Sequence, residues 1–228
     1  MPHSVPIRSR GPKATKVDPS HLLDAAQAVF AREGVQGASI RAMAREAGCD
    51  PSLLYYHFES KERMFAALLE RKFSSLTPAL LEVVERPLPL REKLWSVLGI
   101  FGAHVKNDAG FRAVVRGQIV SGTESVRATL ATRLAGIQQI LARLFAQGMA
   151  SGELRPDLVI PVITFLFART YMEIQDLIPI LAERMGQVPP AQALAMAELE
   201  WFNLFWRGIA TDPLAPCSPL PFPKEIHP

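Results

Sequence analysis

The 228-residue chain lacks the local signatures of the common enzyme classes. It has no glycine-rich phosphate loop, no H-E-x-x-H or C-x-x-C metal spacing, and no motif that orders Ser, His and Asp into a triad. It also lacks the strict alternation of apolar and polar residues that predicts strands, and it has no internal repeat. The sequence therefore gives no support for an enzyme, a cofactor or a metal site, and we expect none.

Cysteine and long apolar runs are scarce as well. Cys49 and Cys217 are the two cysteines, which excludes a disulfide framework and fits a reducing cytoplasm. The longest apolar stretch, residues 158–167, is too short to cross a membrane and is soon followed by Arg169. We find no signal peptide. These features predict a cytoplasmic protein without a membrane anchor.

The charge of the chain is slightly positive, with a net value of +3 and a pI near 9.0. This balance suits a nucleic-acid partner without requiring one. Residues 1–17 form a predicted flexible basic arm, which either lies along DNA or remains a solvated tail. Residues 211–228 contain six prolines and form a predicted extended tail, either packed on a subunit or disordered. The basic residues of the arm are Arg8, Arg10, Lys13 and Lys16.

Residues 39–58 are the most informative stretch, because they predict two short helices separated by a tight turn. Ser39 is a good N-cap for the first helix, and Gly48 follows it where a left-handed residue can end a helix. Asp50 caps the second helix, and Pro51 occupies its first position, where no N–H is needed. The outer face of the second helix is polar and aromatic, which fits the major groove of DNA. The alternative is an ordinary helical hairpin with partly buried aromatic residues.

Residues 22–65 resemble the N-terminal domain of TetR-type transcriptional regulators. The matching marks are "DAA…FAREG", "R-x-x-A-x-x-AG", "LYYHF" and "SKE". The resemblance implies an all-α fold with a three-helix helix-turn-helix domain at the N-terminus and a helical bundle for regulation and dimerisation behind it. We expect the first domain over residues 18–64 and the second over residues 65–210.

The resemblance also implies roles in DNA contact for the matching positions. Ser39 and Arg41, at the start of the first helix of the unit, would contact phosphates or bases. The base-reading positions are Pro51, Ser52 and Leu53, and the phosphate-binding positions are Tyr55, Tyr56, His57 and Lys61. For His57 a structural role at the end of its helix is an equal alternative. The Pro-Ser-Leu trio leaves the operator sequence open.

Helical periodicity covers the rest of the chain. A first helix is predicted over residues 19–33, and a fourth from Ser60 toward residue 84, kinked or broken by Pro78. Further helices are predicted over residues 90–106, 109–120, 124–151, 157–185 and 190–210.

The last two helices carry more apolar surface than one subunit core needs, so they predict a four-helix dimer interface, as in the family. The alternative is that their aromatic residues fill the core of one chain. The predicted interface residues are Val159, Ile163, Leu166, Phe167, Thr170 and Ile174 on the first helix, and Ala193, Met196, Ala197, Glu200, Leu204 and Ile209 on the second.

A small-molecule pocket is predicted between the helices of the second domain. Arg169 and Glu173, four residues apart, either pair with each other or leave Arg169 to meet a ligand carboxylate. The other predicted lining residues would otherwise be core, and they are Trp95, Phe101, His104, Phe111, Arg116, Phe165 and Tyr171.

Together these patterns favour a homodimeric repressor that a small apolar or amphipathic ligand releases from a palindromic operator in double-stranded DNA. The alternative is a DNA-bound adaptor whose second domain binds a protein.

Overall fold

The computed structural model describes residues 18–105, 108–186 and 188–213, which form ten α-helices. No strand occurs in these ranges, so the predicted all-α class is confirmed. The basic arm, Cys217 and the tail beyond residue 213 lie outside the described residues. The helices are α1 (Pro19–Gly37), α2 (Ile40–Ala47), α3 (Pro51–Phe58), α4 (Lys61–Phe73), α5 (Leu76–Glu85), α6 (Leu90–Val105), α7 (Ala109–Ser121), α8 (Glu124–Ser151), α9 (Ile160–Arg184) and α10 (Pro190–Ile209).

The structure differs from the predicted helices mainly at two breaks. Gly34 has a φ of 68°, which interrupts α1 where the prediction ended it, and a last turn then continues to Gly37. The predicted fourth helix is two helices, and the break lies at Ser74 and Ser75, ahead of Pro78. A proline ring in a continuous helix would clash with the carbonyl four residues earlier, which is that of Ser74. Pro78 instead sits in the first turn of α5, where an N–H has no helical partner.

The N-terminal core is completed by residues of α7 and α8. Buried side chains of α1 to α4 pack around Phe30 and Phe65, whose rings meet edge to face at 6.1 Å. Four buried residues of α7 and α8 complete this core, and they are Phe111, Val114, Val126 and Leu130. The first three helices therefore do not bury their apolar faces alone.

A second core lies between α5, α6, α8, α9 and α10, and it contains a cluster of aromatic side chains. Phe145, Phe167 and Phe205 contact one another with ring centroids 5.2–6.3 Å apart. An isolated backbone bridge between Leu154 and Ala210 ties the loop before α9 to the end of α10. Among the described residues, no helix combines the length and apolarity needed to cross a membrane.

Candidate nucleic-acid interface and interior cavity

Short-range hydrogen bonds fix the geometry of α2 and α3. The Ser39 hydroxyl accepts a hydrogen bond from the backbone N–H of Ala42 at 3.1 Å, as an N-cap should. Gly48 then adopts a left-handed conformation, with φ 64° and ψ 33°, and ends α2. The Asp50 carboxylate accepts from the backbone N–H of Ser52 at 2.9 Å and so starts α3. The predicted turn unit is therefore present, with each predicted cap in place.

The outer face of α3 is exposed. Leu54 is buried and holds the helix to the N-terminal core. On the opposite side Tyr55 is 55% exposed and Tyr56 is 81% exposed. Pro51 and Leu53 are half-buried, and Leu53 also packs against the core. Two large aromatic side chains in the second half of the helix are thus exposed to solvent, which is unusual unless they have a partner.

Ser52 is exposed, and its hydroxyl is already oriented. It donates to the Asp50 carboxylate at 2.6 Å. The hydrogen bonds from the Ser52 hydroxyl and its backbone N–H lower the pKa of Asp50, so the carboxylate stays charged. Because the proton of the Ser52 hydroxyl is used in this way, its oxygen is left as an acceptor. It suits a base-edge donor such as the amino group of adenine or cytosine.

The remaining predicted contact residues lie around α3 in different states. Arg41 is exposed on α2, and His57 is half-buried with its ring edge to face with Tyr56. The Lys61 ammonium donates to the backbone carbonyls of Gln36 at 2.6 Å and Ala38 at 3.3 Å. Lys61 thus holds the loop between α1 and α2, a role that the sequence did not indicate. Two of the three donors of its ammonium are used.

Cys49 lies in the turn between α2 and α3 and is half-buried rather than fully buried. It packs against the N-terminal core. Burial raises the pKa of its thiol, and the Asp50 charge beside it raises the pKa further. The thiolate that redox reactions need is therefore disfavoured at Cys49.

A cavity of about 160 Å³ is lined by residues of α4 to α9 and opens to the surface beside the exposed residues Arg116, Ile119 and Phe165. Of the nine predicted lining residues, six border it: Phe101, Phe111, Arg116, Phe165, Arg169 and Glu173. The other lining residues are Phe73, Leu76, Arg112, Val115, Ile119, Leu134, Ile137, Gln138, Ala168, Met172 and Asp176. Everything that α4, α5 and α6 contribute is apolar, whereas the charged groups come from α7 and α9.

Three predicted lining residues lie elsewhere. Trp95 is buried in the second core against Phe202, with ring centroids 5.1 Å apart. Tyr171 is buried and donates its hydroxyl proton to Glu198 at 2.9 Å, and burial together with that carboxylate raises the pKa of Tyr171. His104 is half-buried, and its ring nitrogens lie 3.1 Å from the Ser75 hydroxyl and 2.9 Å from the carbonyl of Ile100.

A charged seam joins α7 to α9 along the cavity. Asp176 bridges two arginines, with Arg112 Nε 3.0 Å from one carboxylate oxygen and Arg116 Nη1 2.9 Å from the other. Arg169 and Glu173 pair with each other at 2.5 Å along α9, which agrees with the first of the two predicted alternatives. Sequence reasoning missed Arg112 and Asp176, because a bridge between residues 60 or more positions apart leaves no local pattern.

The first turn of α7 is also joined to the N-terminal helices. Asp108 caps α7 through the backbone N–H of Phe111 at 2.9 Å, accepts from Gln27 of α1 at 2.7 Å, and forms an ion pair with Lys72 of α4. Burial raises the pKa of Asp108, but the hydrogen bonds from Lys72 and the N–H of Phe111 outweigh it, so the net pKa is lowered. This joint of Gln27, Lys72 and Asp108 connects three helices through one carboxylate.

Helix α7 therefore has two functional faces. Val115 and Ile119 border the cavity, whereas Val114 and Gln118 are buried on the side that packs along α1. Phe111 belongs to both environments, since it lines the cavity and is part of the N-terminal core. A displacement of α7 on its cavity side would thus act directly on α1, the helix that supports the helix-turn-helix unit. Among the described residues, no cluster of His, Cys, Asp and Glu could hold a metal ion.

Comparison with known proteins agrees with this arrangement. Residues 22–68 match the family model described as bacterial regulatory proteins, tetR family. A transcriptional repressor of Streptomyces coelicolor is 40% identical over 70 residues, which are 31% of this chain and 35% of that protein. The fatty acid metabolism regulator of Bacillus subtilis is 23% identical over 60% of this chain and 71% of that protein. The match to the Streptomyces repressor therefore spans about a third of that relative's length.

Solved structures with the same fold cover more of the chain. The transcriptional regulator FadR of Bacillus subtilis, in complex with stearoyl-CoA, has a TM-score of 0.69 at 20% identity over 84% of this chain and 100% of that chain. The ketosteroid transcriptional regulator of Mycobacterium tuberculosis has a TM-score of 0.65 at 19% identity over 89% of this chain and 100% of that chain. At these identities the likeness establishes the fold. The family model adds that residues 22–68 form a TetR-type DNA-binding domain, which is the domain of a DNA-binding transcriptional regulator.

Proposed function

We propose that the protein is a homodimeric repressor that leaves a palindromic operator when a small apolar or amphipathic ligand enters the cavity lined by α4 to α9. One observation carries this proposal: α7 lies between the cavity and α1, and Phe111 takes part in both environments. A ligand that alters the position of α7 therefore acts on the support of the recognition helix α3. Ligand response requires only that the ligand binds the two positions with different affinity.

On the DNA side, α3 would enter the major groove. Ser52 would accept from a base edge and Leu53 would contact a thymine methyl group. Tyr55 and Tyr56, exposed on the outer face, would position the helix against phosphates. The other residues proposed at the interface are Ser39, Arg41, Pro51, His57 and Lys61.

The proposed dimer would form through α9 and α10, whose outer faces keep large apolar side chains in solvent. Leu166 on α9 and Leu204 on α10 are 44% and 60% exposed, and Val162, Leu177, Ile180 and Met196 are also exposed. A row of this kind is typical of a protein interface. Part of the predicted interface set instead packs inside its own subunit, because Ile163, Phe167, Ala193 and Ile209 are buried. The proposed interface is therefore narrower than the sequence predicted.

The ligand would act through the joint at Asp108. Helix α7 contacts α1 along its length, and Asp108 holds both Gln27 of α1 and Lys72 of α4. Displacement of α7 by a ligand would move both helices and so change the separation of the two recognition helices in the dimer. In the relatives, one solved structure contains stearoyl-CoA and another is a ketosteroid regulator, so regulators of this fold are associated with large apolar molecules. The adaptor alternative predicts a closed core, which the cavity argues against.

Selection of binding sites from a random pool of DNA duplexes tests the DNA side. The expected sites are two-fold symmetric, with half-sites about one helical turn apart or slightly more. Mobility shifts of a selected site over a range of salt concentrations then test the contacts. Arg41→Ala should weaken binding and lower the slope of log K against log salt by about 1, since one phosphate contact is lost.

Arg207→Ala, which removes an exposed arginine from α10, is the matched control and should leave the slope unchanged. Selected sites without symmetry would contradict the dimer, and an unchanged slope for Arg41→Ala would contradict that phosphate contact.

A further inference from the structure

The bridge of Arg112, Asp176 and Arg116 is the most distinctive chemistry in the cavity. Arg112 and Arg116 lie one turn apart on α7 and direct their guanidinium groups to one carboxylate on α9. The Arg112 side chain is only 11% exposed, so its charge is largely removed from water. A nearly buried guanidinium requires an anion in contact with it. In this structure Asp176 supplies that anion.

The cavity lining carries an excess of positive charge. Its charged members are three arginines, Arg112, Arg116 and Arg169, and two carboxylates, Glu173 and Asp176, so three positive charges less two negative charges leave one positive. A neutral ligand would leave this excess in place, and a cation would increase it. A ligand with one negative charge would balance it.

The apolar residues of the cavity lining determine the apolar character of the ligand. Phe73, Leu76 and Phe101 border the cavity from α4, α5 and α6, and Leu134 and Ile137 border it from α8. An apolar body that contacts these side chains is removed from water, which favours binding. The cavity therefore suits a molecule that is apolar along most of its surface and anionic at one end.

We propose that the ligand is an amphipathic monocarboxylate whose carboxylate takes the place of Asp176 on Arg112 and Arg116. This inference rests on the proposed ligand-released repressor and names the class of its ligand. Asp176 acts as an internal competitor for the arginine pair, because both carboxylates need the same planar donors. When the ligand carboxylate occupies them, the tie between α9 and α7 is broken. The ligand thus prefers the state in which α7 has separated from α9, and that preference drives release from DNA.

Isothermal titration calorimetry on the full chain tests this exchange with three probes of equal chain length: decanoate, decan-1-ol and decylammonium, each below its micelle concentration. Wild-type protein should bind decanoate about tenfold more tightly than decan-1-ol, and decylammonium most weakly, because a charge-assisted pair of hydrogen bonds is gained only by the carboxylate. Asp176→Asn should tighten decanoate binding by about a further tenfold, since the competing charge is gone. Decan-1-ol should bind this variant as it binds the wild type.

Two further variants make the result specific. Arg116→Gln, at a half-exposed position, should reduce decanoate binding to the level of decan-1-ol. This variant still tests the exchange if Asp176→Asn fails to fold. Glu173→Gln is the matched control, because this carboxylate also lines the cavity but pairs with Arg169 on its own helix. It should change decanoate affinity less than Asp176→Asn does. Circular dichroism melting checks that each variant is folded.

The outcomes separate this inference from the proposed function. Equal binding of decanoate and decan-1-ol would overturn the exchange but leave a repressor released by an apolar ligand. Binding of decanoyl-CoA without binding of decanoate would also overturn it, since the thioester has no carboxylate at the chain end. Binding of none of these probes would overturn the exchange and count against ligand release as well. Decanoate that binds and also releases wild-type protein from a selected DNA site in a mobility shift would support both.

Discussion

The DNA-binding part and the cavity part of the molecule are held together by bonds of different range. In the N-terminal part, α1 to α4 each begin at a side-chain cap, and the bonds of these caps span two or three residues. In the second part, α7 and α8 also begin at such caps, but α5, α9 and α10 have no side-chain cap at their N-cap residues. The first N–H of α6 is bound by Glu153, 63 residues further along the chain.

This difference fits the proposed function, in which the N-terminal part reads bases and the second part responds to a ligand. Local caps fix α2 and α3 whatever the rest of the chain does, so the recognition helix keeps its shape when its position changes. The bonds around the cavity, such as Arg116 to Asp176, join elements that are distant in sequence. Such bonds can exchange partners without unfolding a helix. The proposed DNA-reading helices, with their local caps, and the proposed ligand cavity, with its long-range bonds, thus lie in different parts of the chain.

The largest effect is expected from Phe111→Ala, because Phe111 is shared by the two parts. Truncation of a buried phenylalanine costs about 3–5 kcal/mol in the free energy of unfolding. Since the ring lies in the N-terminal core and borders the cavity, urea denaturation should shift as one transition when followed by probes in either part. Phe165→Ala is the control, as Phe165 also lines the cavity but is 55% exposed, and it should cost less than about 1 kcal/mol. Two separate transitions in Phe111→Ala would mean that the parts unfold independently.

A smaller loss is expected from Asp108→Asn, which keeps the cap of α7 and removes the charge that faces Lys72. We expect a loss of about 1–2 kcal/mol at neutral pH. The pKa of Asp108 is lowered in the folded state, so its contribution is complete above the unfolded value of about 3.9 and is lost as the pH falls through the folded value. The urea midpoints of wild type and variant should therefore converge as the pH falls below about 4.

Asp24→Asn provides the comparison for that experiment, because the ion pair of Asp24 with Arg71 is much more exposed. It should change the midpoint little at any pH. A gap between wild type and Asp108→Asn that stays constant on acidification would contradict the role of the charge at the joint.

The smallest effect, a gain in stability, is expected at the turn after the recognition helix. Glu59 is the non-glycine residue with a positive φ among the described residues, at 62°. Glu59→Gly should raise the free energy of unfolding by about 1 kcal/mol, because glycine adopts this conformation without the steric cost of a Cβ. Glu59→Ala keeps the Cβ and removes only the exposed 3.9 Å contact with Arg63, so it should melt like the wild type. Equal melting temperatures for all three proteins would show that the turn is not strained.

The same difference between short-range and long-range bonds decided which features the sequence could predict. Ser39, Gly48 and Asp50 act on neighbours two to four positions away, so their pattern predicted α2 and α3 residue by residue. The break before α5 was expected at Pro78 but lies four residues earlier, since the ring acts on the preceding turn. Helical periodicity alone therefore located the helices better than it located their breaks.

The cavity was predicted in part, because helical periodicity does not fix which neighbour each face meets. Trp95 and Tyr171 were expected beside a ligand, but their helices are rotated so that both residues lie in the second core. Asp176 was not expected there at all, since its importance comes from two arginines on another helix. These are properties of packing between distant segments, for which one sequence carries no local signal.

The backbone bridge between Leu154 and Ala210 lies in a corner of the second core that main-chain hydrogen bonds hold together. Three hydrogen bonds meet at this corner. The Arg155 N–H donates to the Ile209 carbonyl, and the Thr211 N–H donates to the Glu153 carbonyl. The Glu153 carboxylate accepts from the Leu90 N–H at the start of α6. Main-chain bonds thus lock the ends of α8 and α10 to the loop before α9. Helix α7, in contrast, is joined to α1, α4 and α9 by the side chains of Asp108 and Asp176. Under the proposed function, a ligand in the cavity would therefore displace α7, which packs along α1, more readily than this corner of the second core.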